Sequence, residues 1–359
     1  MKILSIIVSY NFMPWIDRCL PSLLQGTQPT DILVIDNASS DETLAHIREY
    51  YPQVRLIANT QNLGFGAANN IGMKMALDEG YEGVLLINQD AWLEPDALQQ
   101  LVDASLQHPE YGIISPMHLT GDGNSLDPGF AKYIEDGTLK IENCHADDKK
   151  RSRSMVNGHF SEQREQSDAC ISYAESRRNR TQSMVNLHFL EQREQSQTCL
   201  SYAESRQNRS AAQSSIFINA ALWYVPTDVV RKVGMFAPLF YHYGEDKDYV
   251  NRVHYHGYQI GYVPTAIGYH DRAERPFTHE LFIRTERVYH LSEYANINYS
   301  FGKAFALGVL APVKKAFKAL ANGRWSNFTA FIGISFQLLV KTFQIINSRK
   351  EAKSYTPNP

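Results

Sequence analysis

Four places in this 359-residue chain carry residue types and spacings that can do chemistry. The first is Asp90, which closes the stretch Val84-Leu85-Leu86-Ile87-Asn88-Gln89-Asp90. An apolar run bounded by polar residues reads as a strand buried on both faces, as in a parallel sheet. A carboxylate just past such a strand has two uses: it caps the helix signalled by Glu94-Pro95-Asp96, or it holds a hard cation beside a ligand's phosphates. The second is Gly244-Glu245-Asp246-Lys247-Asp248, an acidic helix start. The helix dipole alone favours acids there, yet three crowded carboxylates after an aromatic loop raise one another's pKa, which suits a proton acceptor. The third is His270, in a tyrosine-rich strand, either structural or a metal ligand. The fourth is Asp36, whose carboxylate can accept hydrogen bonds from a base or a ribose.

The elements that must position these groups alternate regularly. Ile3 to Val8 forms a first strand that ends in Ser9-Tyr10-Asn11, and Pro14 to Gln25 has helical spacing up to Gly26. Asp31 to Ile35 and Val54 to Ala58 are the next strands, and a helix running to Glu79 precedes the strand that ends at Asp90. This alternation predicts an α/β fold with a doubly wound, mainly parallel sheet and helices on both faces. In such sheets ligands sit in the crevice outside the strand carboxyl ends, where these polar residues gather. Gly64-Phe65-Gly66 lacks a third glycine and does not follow the first strand, so it does not make a dinucleotide fingerprint. Further on, a helix is expected over 95–108, a strand over Gly112–Pro116, a glycine-rich loop over Gly121–Ile134, a helix over Pro226–Val233 and a strand over Ile260–Tyr269.

Composition is that of an ordinary globular protein, and a net charge of −3 argues against nucleic acid as the main partner. Cys19, Cys144, Cys170 and Cys199 show neither CxxC nor metal-ligand spacing, which suits a reducing cytoplasm. The apolar start, Met1 to Ser9, reads as a strand and not as a signal peptide.

The stretches IIVSYN (6–11), VIDNASSDET (34–43), NLGFGAANNIG (62–72) and LLINQDAWLEPDAL (85–98) resemble the successive nucleotide-sugar motifs of family 2 glycosyltransferases, most closely the bacterial rhamnosyltransferase-like branch. The likeness resumes in FINAALWYVP (217–226), in the segment 233–264 around Gly244-Glu245-Asp246, and in AIGYHDR (266–272). It implies a GT-A fold and sugar transfer from a nucleoside-diphosphate sugar. By that resemblance Tyr10 and Asn11 border the nucleotide, Asp36 holds the uracil or thymine base and ribose, and Asn62 and Asn69 line the same crevice. Asn88-Gln89-Asp90 occupies the place of the family's Asp-x-Asp motif with Asn at its first position. Asn88 is then a ribose or phosphate contact, while Asp90 and His270 are ligands of Mg²⁺ or Mn²⁺. Asp246 is the general base that takes the acceptor hydroxyl's proton, and Glu245 orients the acceptor or the base. The expected reaction is inverting transfer, with rhamnose as the family-level donor sugar, to a bacterial surface polysaccharide or lipid-linked glycan. An inactive nucleotide-sugar-binding scaffold is the rival reading. A nucleotidyltransferase would want a glycine-rich basic loop where Tyr10-Asn11-Phe12-Met13 stands.

Two regions fall outside this pattern. Ser154–Arg180 recurs as Ser183–Arg209, with 21 of 27 positions identical, including Cys170 with Cys199 and His159 with His188. Two copies fall short of a stacked repeat array, so the segment reads as a polar insertion, disordered or marginally helical. Residues 301–359 hold nine Lys/Arg and a single acid, Glu351. Their apolar runs are shorter than the ~20 residues that span a bilayer, and a basic amphipathic helix pair suggests lying on an anionic membrane surface. The expected organisation is a nucleotide-sugar-binding half (1–145), the insertion (146–212), an acceptor and catalytic half (213–300) and a basic helical tail (301–359). The expected location is the cytoplasm, peripheral on the inner face of the membrane.

Overall fold

The apolar, β-branched segments pair as their composition requires. Strands β1 (Ile3–Ser9), β2 (Asp31–Asp36), β3 (Arg55–Ala58) and β4 (Gly83–Asn88) lie side by side in the order β3-β2-β1-β4, all parallel. The computed structural model describes residues 1–135, 213–272 and 278–355; the duplicated insertion lies outside them. The sheet continues through β8 (Leu222–Pro226), β6 (Tyr111–Thr120), β9 (Gln259–His270) and β5 (Ala91–Leu93), with β7 (Gln213–Ser215) also on β9. Strand β8 runs against β4 and β6, while β5 and β7 run against β9. Six of the nine strands therefore point one way, which is the mainly parallel sheet expected of a GT-A fold.

Helices cover both faces. On one, Ile3, Ile7, Val34, Leu85 and Ile87 pack with Ile16, Cys19, Leu20 and Leu23 of helix Ile16–Leu24 and with Leu98 and Leu101 of helix Ala97–Gln107. On the other, helix Phe65–Asp78 lies so close that a Cβ on Gly72 would sit 2.8 Å from the Ile6 side chain. Burying each such Leu or Ile contributes about 1.5–3 kcal/mol, so register slips are heavily disfavoured.

That register aligns the strand ends. Ser9 pairs with Asp36, Val8 with Asn88, and Ala91 with His270. The β6–β9 pairing skips from Pro116–Val263 to Met117–Ile267. Pro264, which cannot donate to a ladder, falls within that bulge, and β9 runs on past it to His270.

The sequence and the structure differ over 121–134. Glycine content suggests a loop there, but Pro128–Glu135 is a helix. Asp127 caps it by accepting from Phe130 N at 3.0 Å, and Pro128 occupies the first helical position, where a missing N–H costs nothing.

The carboxyl-terminal helices share a core with Phe240 and with helix His279–Ala295. Leu291 and Tyr294 of helix His279–Ala295 pack with Phe240, Val309, Ala316, Phe331, Leu338 and Ile345. Residues Ala306–Leu310 form a π-helical turn that brings Gly308 against Tyr294, where a Cβ would be 2.4 Å from the ring's own Cβ. Buried Arg349 donates to the carbonyls of Tyr294 (3.1 Å) and Tyr299 (2.7 Å) and ties helix Thr342–Lys353 to the chain after Ala295. Among the described residues no single helix is long and apolar enough to cross a membrane. Helices Trp325–Val340 and Thr342–Lys353 pass that test only as a pair bent by 59°.

Candidate active site

The carboxyl ends of β1, β2 and β4 form a pre-tied cradle. Asp36 is fully buried at the end of β2 and accepts from Ser9 Oγ (2.9 Å), Ser39 N (2.9 Å) and the Ser39 hydroxyl. Asn11 sits in the left-handed region (φ 55°) and accepts from Ser40 N at 2.9 Å. Tyr10, half exposed, exchanges backbone hydrogen bonds with the Gln89 side chain at 2.7 and 3.1 Å, which locks the ends of β1 and β4 together. Asn62 accepts from Gly64 N (2.9 Å) in a tight turn, and its carbonyl accepts from the Tyr241 hydroxyl (3.1 Å). Asn69, expected in the crevice, is 1% exposed and donates to Phe65 O at 3.1 Å inside its own helix. The glycines of 64–66 serve packing. Gly64 has φ 80°, and a Cβ there would meet the Tyr241 carbonyl at 2.1 Å. This contact seats the 62–66 loop directly on the loop that precedes Glu245.

Asn88, Asp90 and His270 converge. Strand β5, which starts at Ala91, pairs with the end of β9 and carries Asp90 to His270, whose Nε2 lies 3.5 Å from Asp90 Oδ1. Asn88 Nδ2 is also 3.5 Å from that nitrogen. On its other side, His270 Nδ1 lies 3.3 Å from Oδ2 of Asp127, and both side chains are buried. Burial opposes protonation of His270, but Asp127 and Asp90 together outweigh it, so its pKa is raised. Burial likewise works against charge on Asp127, yet His270, Arg272 and the Phe130 N–H pull it down to about 2. His118, packed edge-on to His270, is pushed down to about 3 by burial and by its neighbour, and stays neutral.

The acidic helix start divides its carboxylates by role. Asp248 is buried and paired with Arg252 at 2.9 Å, a structural bridge. Glu245 is 5% exposed, and its Oε2 has no hydrogen-bond partner. Burial raises its pKa to about 7; the Asp246 charge adds to this and Arg284 opposes it. Asp246, half-buried, is raised by desolvation even though Lys247 N donates to it at 2.7 Å. Tyr243 (φ 70°) and Gly244 (φ 87°) precede them, a left-handed pair of the kind that accumulates at functional sites.

The two carboxylate clusters are electrostatically joined. Arg272, with Nε 3.9 Å from Asp127 Oδ2, lowers the pKa of both Asp127 and Asp246. Tyr133, on the helix that Asp127 caps, has its pKa raised by burial and by both carboxylates. Asp127 and Tyr133 carry no motif of their own in the sequence, whereas Arg272 closes the AIGYHDR stretch. The Asp-Pro helix start was the available signal, and surrounding glycines masked it.

Among the described residues no three His, Cys, Asp or Glu side chains form a metal cluster by themselves. Asp90 with His270 nevertheless fits a divalent cation, since Mg²⁺ or Mn²⁺ beside a diphosphate takes few protein ligands and completes its shell with phosphate oxygens and water. Asp127 behind His270 has the carboxylate–imidazole arrangement that orients a ligating histidine.

Buried parallel strands with acids, amides and an imidazole at their carboxyl ends form the ligand-binding crevice of an open α/β sheet. More narrowly, the family model for Glycosyl transferase family 2 matches residues 5–162. It is 33% identical over 126 residues to the N-acetylglucosaminyl-diphospho-decaprenol L-rhamnosyltransferase of Mycobacterium tuberculosis (strain CDC 1551 / Oshkosh), covering 33% of this chain and 41% of the relative. It is 31% identical over 107 residues to the undecaprenyl-phosphate mannosyltransferase of Micrococcus luteus, covering 29% and 44%. The alignments thus span less than half of these relatives. Among solved structures, S. aureus TarS 1–349 is 13% identical with a TM-score of 0.49, covering 98% of this chain and 90% of that one.

Proposed function

We propose that this chain is an inverting, metal-assisted glycosyltransferase that moves a sugar from a nucleoside-diphosphate donor to a hydroxyl of a surface polysaccharide or lipid-linked glycan. The observation that carries the reading is the convergence of Asn88, Asp90 and His270 at the strand ends, backed by Asp127, with Arg272 beside Asp127 and acting on both His270 and Asp246. Rhamnose is the donor sugar we favour, because one relative is named for its transfer.

In this reading Asp36, Tyr10 and Asn11 hold the nucleoside, with Asn62 and Asn69 supporting that wall and Asn88 reaching ribose or phosphate. Asp246 accepts the proton of the acceptor hydroxyl. The new oxygen–carbon bond forms at the anomeric centre as the bond to the diphosphate oxygen breaks, and the electron pair leaves with the nucleoside diphosphate. Mg²⁺ or Mn²⁺ held by Asp90 and His270 would neutralise that leaving group. Glu245, largely protonated below neutral pH, donates a hydrogen bond that orients the acceptor. Lipid-linked acceptors put the site of action at the cytoplasmic membrane surface.

The test is a screen of nucleoside-diphosphate sugars for Mn²⁺- or Mg²⁺-dependent thermal stabilisation and donor hydrolysis. Binding and hydrolysis of one donor class, lost with chelator, is the expected outcome; no donor effect with either ion overturns the reading.

A further inference from the structure

Helix Trp325–Val340 is apolar on both sides. Phe331, Ile334 and Leu338 face the core of the carboxyl-terminal region. The opposite side presents Trp325, Ile332, Phe336, Leu339 and Val340, and the next helix continues the row with Phe343. The separations of seven, four and three residues place Trp325, Ile332, Phe336 and Leu339 on one face at helical spacing, with Val340 at its edge. Exposure reaches 66% at Trp325, 66% at Phe336, 68% at Val340 and 75% at Phe343. Phe328 links this row to exposed Phe317 on the preceding helix, with ring separations of 6.0 Å to Trp325 and 6.1 Å to Phe317. Isolated apolar residues on a surface mean little, but a contiguous aromatic stripe marks an interaction face.

Charge decides what covers it. Lys314, Lys318, Arg324 and Lys341 are exposed around the stripe, and Glu351 is the one acid after residue 300. Two copies packed stripe to stripe would bring these cations together without counter-charges. An anionic lipid surface supplies the counter-charge and the apolar depth at once. Lys341 stands at the 59° bend between the two helices, where its stem can lie along the apolar face while its ammonium reaches headgroups.

We propose that the outer face of helices Trp325–Val340 and Thr342–Lys353 seats in the headgroup region of an anionic bilayer, lying along it and not crossing it. The inference deepens the proposed function, because a lipid-linked acceptor is presented at that surface. The full chain is sedimented with phosphatidylcholine vesicles with and without phosphatidylglycerol, alongside a Trp325→Ser, Phe336→Ser, Phe343→Ser variant. Preferential binding to the anionic vesicles, weakened by salt and reduced roughly tenfold or more in the variant at unchanged Tm, is expected. Equal binding by the variant, equal binding to neutral vesicles, or a dimer in light scattering that the variant abolishes would overturn it. Donor hydrolysis separates the two readings: loss of vesicle binding with hydrolysis intact sinks the docking face alone, and vesicle binding without any donor turnover sinks the transferase alone.

Discussion

The two walls of the candidate site use their polar groups in opposite ways. On the donor side they are spent on one another: Asp36 takes Ser9 and Ser39, Asn11 takes Ser40, and Asn62 takes Gly64 N. On the catalytic side, Glu245 Oε2, Asp127 Oδ2 and His270 Nδ1 are buried without well-aligned hydrogen-bond partners. A wall whose groups are already satisfied is rigid and recognises shape at little cost in ordering. Buried groups left short of partners are expensive, and they accumulate where chemistry needs perturbed acids and bases. The donor cradle is therefore read as preorganised and the acid–imidazole side as reactive, and substitutions on the two walls should fail in different ways.

The largest contrast is expected at Asp246. Asp246→Asn keeps the shape and the backbone hydrogen bond but cannot take a proton. Turnover should fall by about 10²- to 10⁴-fold while donor affinity, read by calorimetry, stays within a factor of about two. Comparable turnover in the variant would remove Asp246 from the role of base. Because desolvation raises its pKa, wild-type turnover should also decline on acidification sooner than an ordinary aspartate would dictate.

Glu245 tests the cost of the reactive wall. Its folded pKa of about 7 lies above the ordinary glutamate value of 4.5, so the native state holds the proton longer than the unfolded chain does. Stability on this account is full below pH ~4.5 and is lost as pH rises to ~7, by at most about 3 kcal/mol. Glu245→Gln should thus raise the melting temperature at pH 8, change it little at pH 4.5, and flatten the slope between. A variant less stable than wild type at pH 8 would show that the carboxylate makes a compensating contact.

Asp127 isolates a single function. Asparagine is as good a helix cap as aspartate, so Asp127→Asn should preserve helix Pro128–Glu135 and the Tm within a few degrees. It removes the negative charge 3.3 Å from His270 Nδ1. Loss of such a supporting carboxylate costs about 10- to 100-fold in metal affinity. Mn²⁺ titration followed by electron paramagnetic resonance, with no donor present, reads this directly. Unchanged Mn²⁺ affinity would leave Asp127 as a cap alone.

How far the sequence could be read follows the same divide. Parallel strands buried on both faces advertise themselves as apolar runs, and the polar residues just past them were legible as site residues because strand ends are where such sheets bind ligands. Asp90 and His270 sit 180 positions apart in sequence, and their pairing depends on the β5–β9 register, which no local pattern encodes. Asp127 stayed hidden because a helix cap and an imidazole partner look identical in one dimension. Asn69 erred the other way: its place in a motif pointed to the crevice, whereas its amide returns to the Phe65 carbonyl. The carboxyl-terminal helices were legible as basic and amphipathic. That their inner face would share a core with Phe240 and Tyr294 depended on long-range packing.

The smallest expected effect concerns the duplicated segment. The described chain enters it from helix Pro128–Glu135, anchored through buried Phe130, and leaves it into β7, paired with β9. Both flanks are thus fixed by contacts of their own. Loop-closure cost grows only with the logarithm of length, so removing residues 150–210 should shift stability by about 1 kcal/mol. Donor binding should be unchanged, since the donor wall is tied by residues 9–69 and 89. Thermal melts and donor calorimetry on the deleted chain check both points. Loss of folded, donor-binding protein would mean that the repeat supports the catalytic wall, and the contrast between a rigid donor side and a reactive catalytic side would then have to include it.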